Sequence, residues 1–582
     1  MSSPATSARN RSPGQTATGP VKPKQMPMTP WYSLRQLAST AVQVLISLIF
    51  AQRSDARLVE AMTSEGAGDI WKHTRQYEWI NEEYVPSPRA EAYRELWIDF
   101  VADTGDGFNS TYAVAYSVAQ ETLTVKKSGG AEKLPRADIL IFGGDQVYPI
   151  ASQSMYQDKT IGPFQAALPW ADSPPHLYAI PGNHDWYDSL VGFTRLFCSG
   201  RWFGAWRTQQ TRSYFALQLP FGWWLIGTDI QLDSDVDAKQ VEYFRKTAAK
   251  MQRGDKIILC NAEPYWIYEK LYRKYNEIYS QSNLKFIERI FADKADIKLY
   301  LSGDLHHYRR HENQELGKQK IVAGGGGAFL HPTHGPNVDE LDDGFRLRAS
   351  FPPKRKSMLI TFGNLLFPFK NPSFGVLTAL AYLMTAWVTR VNIGSFSLAE
   401  ALRTCAEAVV QRPAMPVWLL ITFLGIWTFT DTFSKAYRWI AGTIHGLTHL
   451  CVLFLISWQA QSLMSHVFRP ESTLWWLLSG ALVALGGYVV GPFVLGIYLL
   501  VSLNLFGHHI TEAFSSMAIP DWKNFLRMKI DAQGLTIYPI GIPKVPRKWR
   551  WLGESGRSSR FEPESPIESV LIEDPIRMGS HE

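Results

Sequence analysis

Five short clusters in this 582-residue chain carry carboxylate, amide or imidazole side chains that could together bind metal and move protons. They are Asp103-Thr104-Gly105-Asp106-Gly107, Gly144-Asp145-Gln146-Val147-Tyr148, Gly182-Asn183-His184-Asp185, Asn261-Ala262-Glu263-Pro264 and Gly303-Asp304-Leu305-His306-His307. A single Asp after a strand more often forms a turn or caps a helix. Asn183-His184-Asp185 is different, because an amide, an imidazole and a carboxylate at one loop tip form a set for binding metal and moving protons. Oxygen and imidazole donors together suit divalent ions of intermediate hardness. Two such ions about 3.5–4 Å apart can hold a hydroxide and clamp a phosphoryl oxygen during in-line attack.

Such clusters must be positioned by rigid elements. Residues 96–102, 139–142, 177–180, 224–227, 256–260, 297–301 and 320–323 are short runs rich in Ile, Leu, Val and aromatics, as buried strands of an α/β domain should be. Five of these runs end directly in the polar clusters. The clusters therefore sit on loops at strand C-termini, where open α/β sheets build their sites.

Charge is unevenly distributed. The chain has 59 Lys and Arg against 53 Asp and Glu, a formal charge of +6, with 46% hydrophobic and 19% charged residues. This excludes a wholly disordered chain and a disulfide-stapled mini-protein. Residues 374–507 carry almost none of the charge. Candidate spans are 374–388, 415–430, 439–460, 474–490 and 491–506, and Trp387, Trp439, Trp458, Trp475 and Trp476 lie near their ends as interfacial anchors would. The last two spans adjoin through Gly486-Gly487 and Gly491-Pro492, as in a tight helical hairpin. Lys354, Arg355, Lys356 and Lys370 precede the bundle, and Lys523, Arg527 and Lys529 follow it. The positive-inside rule places both flanks in the cytoplasm, which five spans cannot satisfy unless one is not a span or 358–369 also enters the membrane.

The organisation expected is a disordered tail over 1–30, a helical segment over 31–90, an α/β domain over 91–352, a transmembrane bundle of about five helices over 353–510, a small β-containing segment over 511–552 and a disordered tail over 553–582. Residues 31–51 read as an amphipathic helix or a short span. Residues 525–530 and 535–540 read as a β-hairpin around Ala532-Gln533-Gly534. Cys198, Cys260, Cys405 and Cys451 have no CxxC spacing, and the expectation is structural thiols. No secretory signal follows Met1.

The strand-end series resembles the calcineurin-like metallophosphoesterase superfamily over about residues 96 to 330. The specific blocks are GDQVYP, PGNHD and SGDLHHY, and the DxG and GDxxY patterns resemble the purple acid phosphatase branch. The resemblance implies a four-layer α/β sandwich with two central mixed sheets flanked by helices, here joined to a C-terminal all-α transmembrane bundle. It implies a site of two divalent metal ions. Asp103, Asp145, Tyr148, Asn183, Asp304 and His306 match ligand positions, with Asp145 bridging. His184 matches the acid that protonates the leaving oxygen, with Asp185 orienting it. Glu263 and His307 are possible metal or substrate contacts. Gly105 stands where many members have His, Ala262 replaces the fourth-block His, and Asp304 replaces the first His of the last block. This oxygen-rich set favours Mn, Mg or Fe over Zn. Tyr148 reads equally as an iron phenolate or as a core tyrosine. Gly324-Gly325-Gly326-Gly327 with His331 and His334 reads either as a phosphate-contacting loop or as a flexible turn.

The function expected is a membrane-anchored, metal-dependent phosphoester hydrolase acting on a lipid- or nucleotide-linked substrate, with its soluble domain facing the cytoplasm. Contact with membrane lipids and no nucleic-acid partner are expected. One alternative is a catalytically degenerate scaffold of the same fold. Another makes the bundle the functional part, as a transporter or channel.

Overall fold

The computed structural model describes residues 22–39, 71–72, 77–80, 83–86, 95–230, 236–272, 281–335, 337–430, 434–553 and 557–579. The strands that build the site are, in chain order, β1 (Glu95–Val101), β2 (Ile139–Gly143), β3 (His176–Ile180), β4 (Phe215–Gln218), β5 (Trp223–Gly227), β6 (Asp255–Cys260), β7 (Ala295–Ser302), β8 (Tyr308–Asn313), β9 (Lys318–Ala323), β10 (Arg346–Phe351), β11 (Lys523–Asp531) and β12 (Gly534–Ile542). All seven runs read as strands in the sequence are strands here. β4, β8 and β10 are additions.

Two mixed sheets result. In one, β1, β2 and β3 are parallel neighbours, and the β11–β12 hairpin adds antiparallel to β1. In the other, β5, β6, β7 and β9 run parallel, β4 adds antiparallel to β5, and β8 lies antiparallel between β9 and β10. Alternation along each strand decides which side chains meet. Leu96, Ile98 and Phe100 of β1 face Leu299 and Leu301 of β7 in the core between the sheets. The other faces of the sheets bury helices: Phe108–Ala119 packs on the first sheet, and Ala238–Ala248 with Ser282–Phe291 packs on the second. The architecture is helix, sheet, sheet, helix, the four layers expected.

The C-terminal region differs from expectation. The hairpin is present and longer than read, and it is an integral part of the first sheet rather than a separate segment. Arg527 on β11 donates to both carboxylate oxygens of Asp99 on β1 at 2.8 and 2.7 Å, with both side chains buried. Residues expected to be disordered carry strands: Phe561–Pro563 pairs with Trp549–Trp551, while Val570–Leu571 and Ile576–Gly579 pair with β12. Near the N-terminus, residues 22–30 pack on the domain instead of forming a free tail. The Phe108 amide donates to the Met26 carbonyl at 2.8 Å, and the Thr29 amide donates to Asp106 at 2.8 Å. Within 31–90, read as helical, residues 34–39 are helix, but Trp71–Lys72, Tyr77–Ile80 and Glu83–Pro86 are strands. Residues 40–51 of the predicted helix lie outside the described residues.

The apolar region forms α1 (Pro372–Thr389), α2 (Leu398–Gln411), α3 (Ala414–Phe429), α4 (Lys435–Ser465) and α5 (Thr473–Val501). α5 continues in helical turns to Phe506, giving 34 residues whose most apolar 18-residue stretch has a mean hydropathy of 2.1. The two last spans read from the sequence are thus one helix, without a hairpin. Its glycines mark close helix approach: a Cβ at Gly487 would lie 3.0 Å from the Ala379 Cα, and one at Gly491 would lie 2.7 Å from the Thr378 Cβ. Among the described residues three helices are long and apolar enough to cross a membrane, and a fourth crossing is available if α2 and α3, bent by 104°, count as one. Residues 358–369 form short helical turns beside α5.

Candidate active site

The loops that follow β1, β2, β3 and β7 converge at one rim. Asp103, Asp145 and Asp304 each sit at positive φ, at 55°, 49° and 66°. Non-glycine residues adopt that conformation at a cost, and three at one rim are held by the surrounding structure. Gly105 explains the missing imidazole of the first block. A Cβ there would stand 2.1 Å from the Gln146 carbonyl oxygen, so no larger residue fits. Gly182 is equally constrained, since its Cβ would lie 2.1 Å from Asp145 Oδ1.

The Tyr148 hydroxyl is the centre of the cluster. It stands 3.1 Å from Asp103 Oδ1, 3.0 Å from Asp145 Oδ2 and 3.0 Å from His306 Nε2. His306 Nδ1 lies 2.8 Å from the Phe329 carbonyl, to which it donates, so its bare Nε2 points at the cluster. The other Asp103 oxygen accepts the Asp304 amide at 2.8 Å, and the other Asp145 oxygen accepts the His184 amide at 2.9 Å. Each carboxylate thus keeps one oxygen on the backbone and presents the other to the centre.

This donor set fits a metal ion at the first position. Asp103, Asp145, Tyr148 and His306 offer three oxygens and one imidazole nitrogen. Among the described residues the closest positive-type partner of the three carboxylates is His306 Nε2, 4.0 Å from Asp103. Burial and the charges of Asp145 and Asp304 raise the Asp103 pKa far above the ordinary carboxylate value. Burial, then Asp304, pushes Asp145 up to about 7. Buried carboxylates that repel one another in this way are completed by a cation. Burial also keeps His306 neutral, as a ligand must be. Among the described residues no three His, Cys, Asp or Glu side chains form a ready cage by themselves, since the Tyr148 hydroxyl lies between them.

The second position is poorer in donors. Ala262 supplies none. The Asp304 carboxylate accepts a hydrogen bond from the Tyr268 hydroxyl, and Asn183 Nδ2 donates to the Tyr187 hydroxyl at 3.3 Å. Glu263 and His307 do not line the cavity, and His307 is fully buried behind it.

His184 faces the cavity, and its Nδ1 lies 2.7 Å from the Pro149 carbonyl. That carbonyl, not Asp185, orients the ring. The Asp185 carboxylate instead accepts the Gly182 amide at 2.8 Å, the Gln146 amide at 3.3 Å and the Tyr156 hydroxyl at 2.5 Å. Its role is to staple the second and third loops together. Burial lowers the His184 pKa below its ordinary value.

The cavity measures about 390 Å³. Trp31, Tyr187, Tyr268, Phe329 and His331 line it without having been read as site residues, apart from the loop reading of His331. His331 stacks on His306 with ring centroids 3.9 Å apart, and neither of its buried ring nitrogens has a hydrogen-bond partner. β11 supports this loop: the Asn524 amide donates to the Gly325 carbonyl at 3.0 Å, and Lys523 donates to the Ala328 carbonyl. Arg309 and Arg310 serve the sheet, with Arg310 paired to Glu573 at 2.6 Å and Arg309 donating to the Thr333 carbonyl at 2.8 Å. In the bundle, His445 and His449 contact each other through Nε2 at 3.2 Å, and the Tyr382 hydroxyl joins His449 at 2.8 Å.

Residues 96–308 match the family model for calcineurin-like phosphoesterase. Among solved structures the chain is similar to GAP50, the anchor in the inner membrane complex of Plasmodium, at 11% identity over 44% of this chain and 84% of that one, with a TM-score of 0.31. It is similar to purple acid phosphatase PPD1 from yellow lupin (Lupinus luteus) seeds at 15% identity over 42% and 46%, with a TM-score of 0.28. It is also similar to PhoD at 12% identity over 42% and 59%, with a TM-score of 0.27. No curated protein matches the sequence. The matched blocks are the loops that meet at the Tyr148 hydroxyl, and the α/β part of this chain is a calcineurin-like metallophosphoesterase domain.

Proposed function

We propose that the chain is a membrane-anchored, metal-dependent phosphoester hydrolase. The observation that carries this reading is that His184 lines the same cavity as Asp145, Tyr148 and His306, with Asp103 joined to them through the Tyr148 hydroxyl. Asp103, Asp145, Tyr148 and His306 would hold a divalent ion, which when bound would supply positive charge to the phosphoryl oxygens and lower the pKa of the attacking water. Asp103 and Asp145 hold that charge in place through their backbone bonds. His184 gives a proton from Nε2 to the leaving oxygen while Nδ1–H stays on the Pro149 carbonyl. Burial lowers its proton affinity, so the negative phosphate beside it helps it take up the proton it transfers. A second ion would rest on Asp145, Asn183 and Asp304 and bind more weakly, and this oxygen-rich set favours Mn, Mg or Fe over Zn.

The anchoring reading rests on topology. β1 precedes the apolar helices, β11 follows them, and the two pair in one sheet. Both flanks therefore lie on one side, which requires an even number of crossings. α1, α4 and α5 make three, so the bent pair α2–α3 would supply the fourth, with the apolar α3 as its membrane part. α2 carries Glu400, Arg403 and Glu407, and Arg412 just after it donates to the carbonyls of Thr389 and Arg390 at the end of α1 at 3.0 and 3.1 Å, as expected of a helix at the far surface. Four crossings are compatible with the basic residues on both flanks, and the positive-inside rule then supports a domain on the cytoplasmic side.

The loss of donors at Ala262, with Asp304 held by Tyr268, favours a second reading, a scaffold of the same fold. The two separate on leaving-group dependence. In the hydrolase, His184→Ala slows alkyl esters, which need protonation, far more than para-nitrophenyl esters, which do not. A variant that slows both equally refutes the acid role, and wild type without turnover on either ester with any of the four metals supports the scaffold.

A further inference from the structure

The cavity is not walled by the phosphoesterase domain alone. Ile510, Thr511 and Ser515 line it together with Asp145, His184 and Asp304. They belong to the short helix Ile510–Ser515, which starts four residues after the long apolar helix ends at Phe506. Four residues reach at most about 14 Å. The interfacial layer on each side of the hydrocarbon core is about 5–8 Å thick. The wall of the cavity therefore starts within about 14 Å of the end of the apolar helix, a reach that includes the headgroup level.

A second observation fixes that level independently. Residues 354–370 form consecutive helical turns packed on the domain-side end of α5. The Asn364 carbonyl oxygen and the Phe367 Cβ abut Gly496. Their outer face is apolar, with Leu359, Phe362, Leu366 and Phe369 exposed by 64%, 52%, 52% and 80%. Lys354, Arg355, Lys356 and Lys370 flank that face. A helical segment with a bare apolar face and basic flanks lies in the plane of an anionic membrane surface. His334 ties this segment to the site loop: its Nδ1 contacts Ser357 Oγ at 2.9 Å, and its Nε2 contacts Asn504 Oδ1 at 3.1 Å. Three residues earlier, the unpartnered His331 ring reaches the cavity.

We infer that the phosphoester hydrolysed at this site is borne by a membrane lipid. This rests on the hydrolase reading above and names its substrate class. The headgroup phosphate enters between Ile510–Ser515 and Phe329, with His331 a polar contact, while the acyl chains stay in the bilayer beside 354–370. Water adds to phosphorus and gives one proton to solvent, the ester P–O bond breaks, and the lipid or headgroup alcohol leaves with the proton from His184, which solvent then reprotonates.

The test uses the full chain in detergent micelles with added Mn²⁺. Long-chain phosphatidic acid and phosphatidylglycerol are compared with their short-chain, water-soluble counterparts and with bis-para-nitrophenyl phosphate. The expected result is a kcat/KM at least about 100-fold higher for a long-chain lipid than for its short-chain counterpart, from retained acyl contact. The double variant Leu359→Glu/Phe369→Glu should lower the long-chain rate at least about tenfold and leave bis-para-nitrophenyl phosphate unchanged. Soluble-substrate turnover with no preference for long chains overturns the lipid assignment and leaves the hydrolase reading standing. So does a double variant that lowers both substrates equally. Wild type without turnover on any of these substrates overturns both.

Discussion

Removing the Arg527 guanidinium tests whether the strand after the membrane bundle is part of the catalytic domain. Arg527 and Asp99 form a bidentate pair between β11 and β1, 428 positions apart, with both side chains buried. Arg527→Met keeps most of the stem packing and leaves the Asp99 carboxylate buried without its partner. Breaking such a pair costs about 3–5 kcal/mol. At about 2–4 °C per kcal/mol this lowers the melting temperature by roughly 10 °C, somewhat less for a domain of this size. Burial already raises the Asp99 pKa against the pull of Arg527, and removing Arg527 raises it further. The folded variant then binds a proton that the unfolded chain does not. Its stability is full below the ordinary carboxylate pKa and falls as the pH rises through the folded value, so the defect is worst at neutral pH. Asp99→Leu added to Arg527→Met removes the stranded charge and should recover at least half of the loss. Tryptophan fluorescence melts and trypsin half-lives on detergent-solubilised protein read both effects. A single variant within about 1 kcal/mol of wild type, or a double variant as unstable as the single, refutes the reasoning.

Further outcomes follow from the site. Tyr148→Phe deletes the hydroxyl shared by Asp103, Asp145 and His306, and metal affinity after dialysis should fall by about 10–100-fold by elemental analysis. Asp185→Asn should lower both stability, by about 1–3 kcal/mol, and kcat, because it weakens the staple between the Gly182 and Gln146 loops, whereas His184→Ala should lower kcat with little change in melting. Ala262→His should raise the metal content per chain if a missing donor is what weakens the second position. His311 is fully buried, and burial pushes its pKa down to about 4. Its contribution, about 3 kcal/mol, is present above the unfolded value near 6.5 and lost as the pH falls through 4, so His311→Gln should flatten acid destabilisation in that window.

The site was legible in the sequence where its parts are local. Asp103, Asp145, Asn183 and Asp304 each follow a run of apolar residues, and strand, loop and polar cluster are all read within a dozen positions. Partners distant in sequence were not legible. Nothing near Asp185 says that its acceptors serve Gln146 and Tyr156, or that the Pro149 carbonyl holds His184. β11 reads as a hairpin arm, but its place beside β1 depends on a pairing across the whole bundle. Gly486, Gly487, Gly491 and Pro492 look like a turn by local preference. In an apolar helix Gly487 and Gly491 let α1 approach and Gly486 lies against Ile456 of α4, and the helix runs on through Pro492 to Phe506. Strands at 561–579 escaped notice because each is only two to four residues long and depends on β12 or Trp549–Trp551 for its hydrogen bonds.

The most direct measurement strips the full-length protein with chelator and follows hydrolysis of bis-para-nitrophenyl phosphate as Mn²⁺ is returned. Turnover should reappear in step with the first ion bound per chain and stay absent in Asp145→Asn at the same total metal. Turnover in Asp145→Asn equal to wild type, or wild type that binds the ion and remains inert on soluble and lipid phosphoesters alike, would contradict the account.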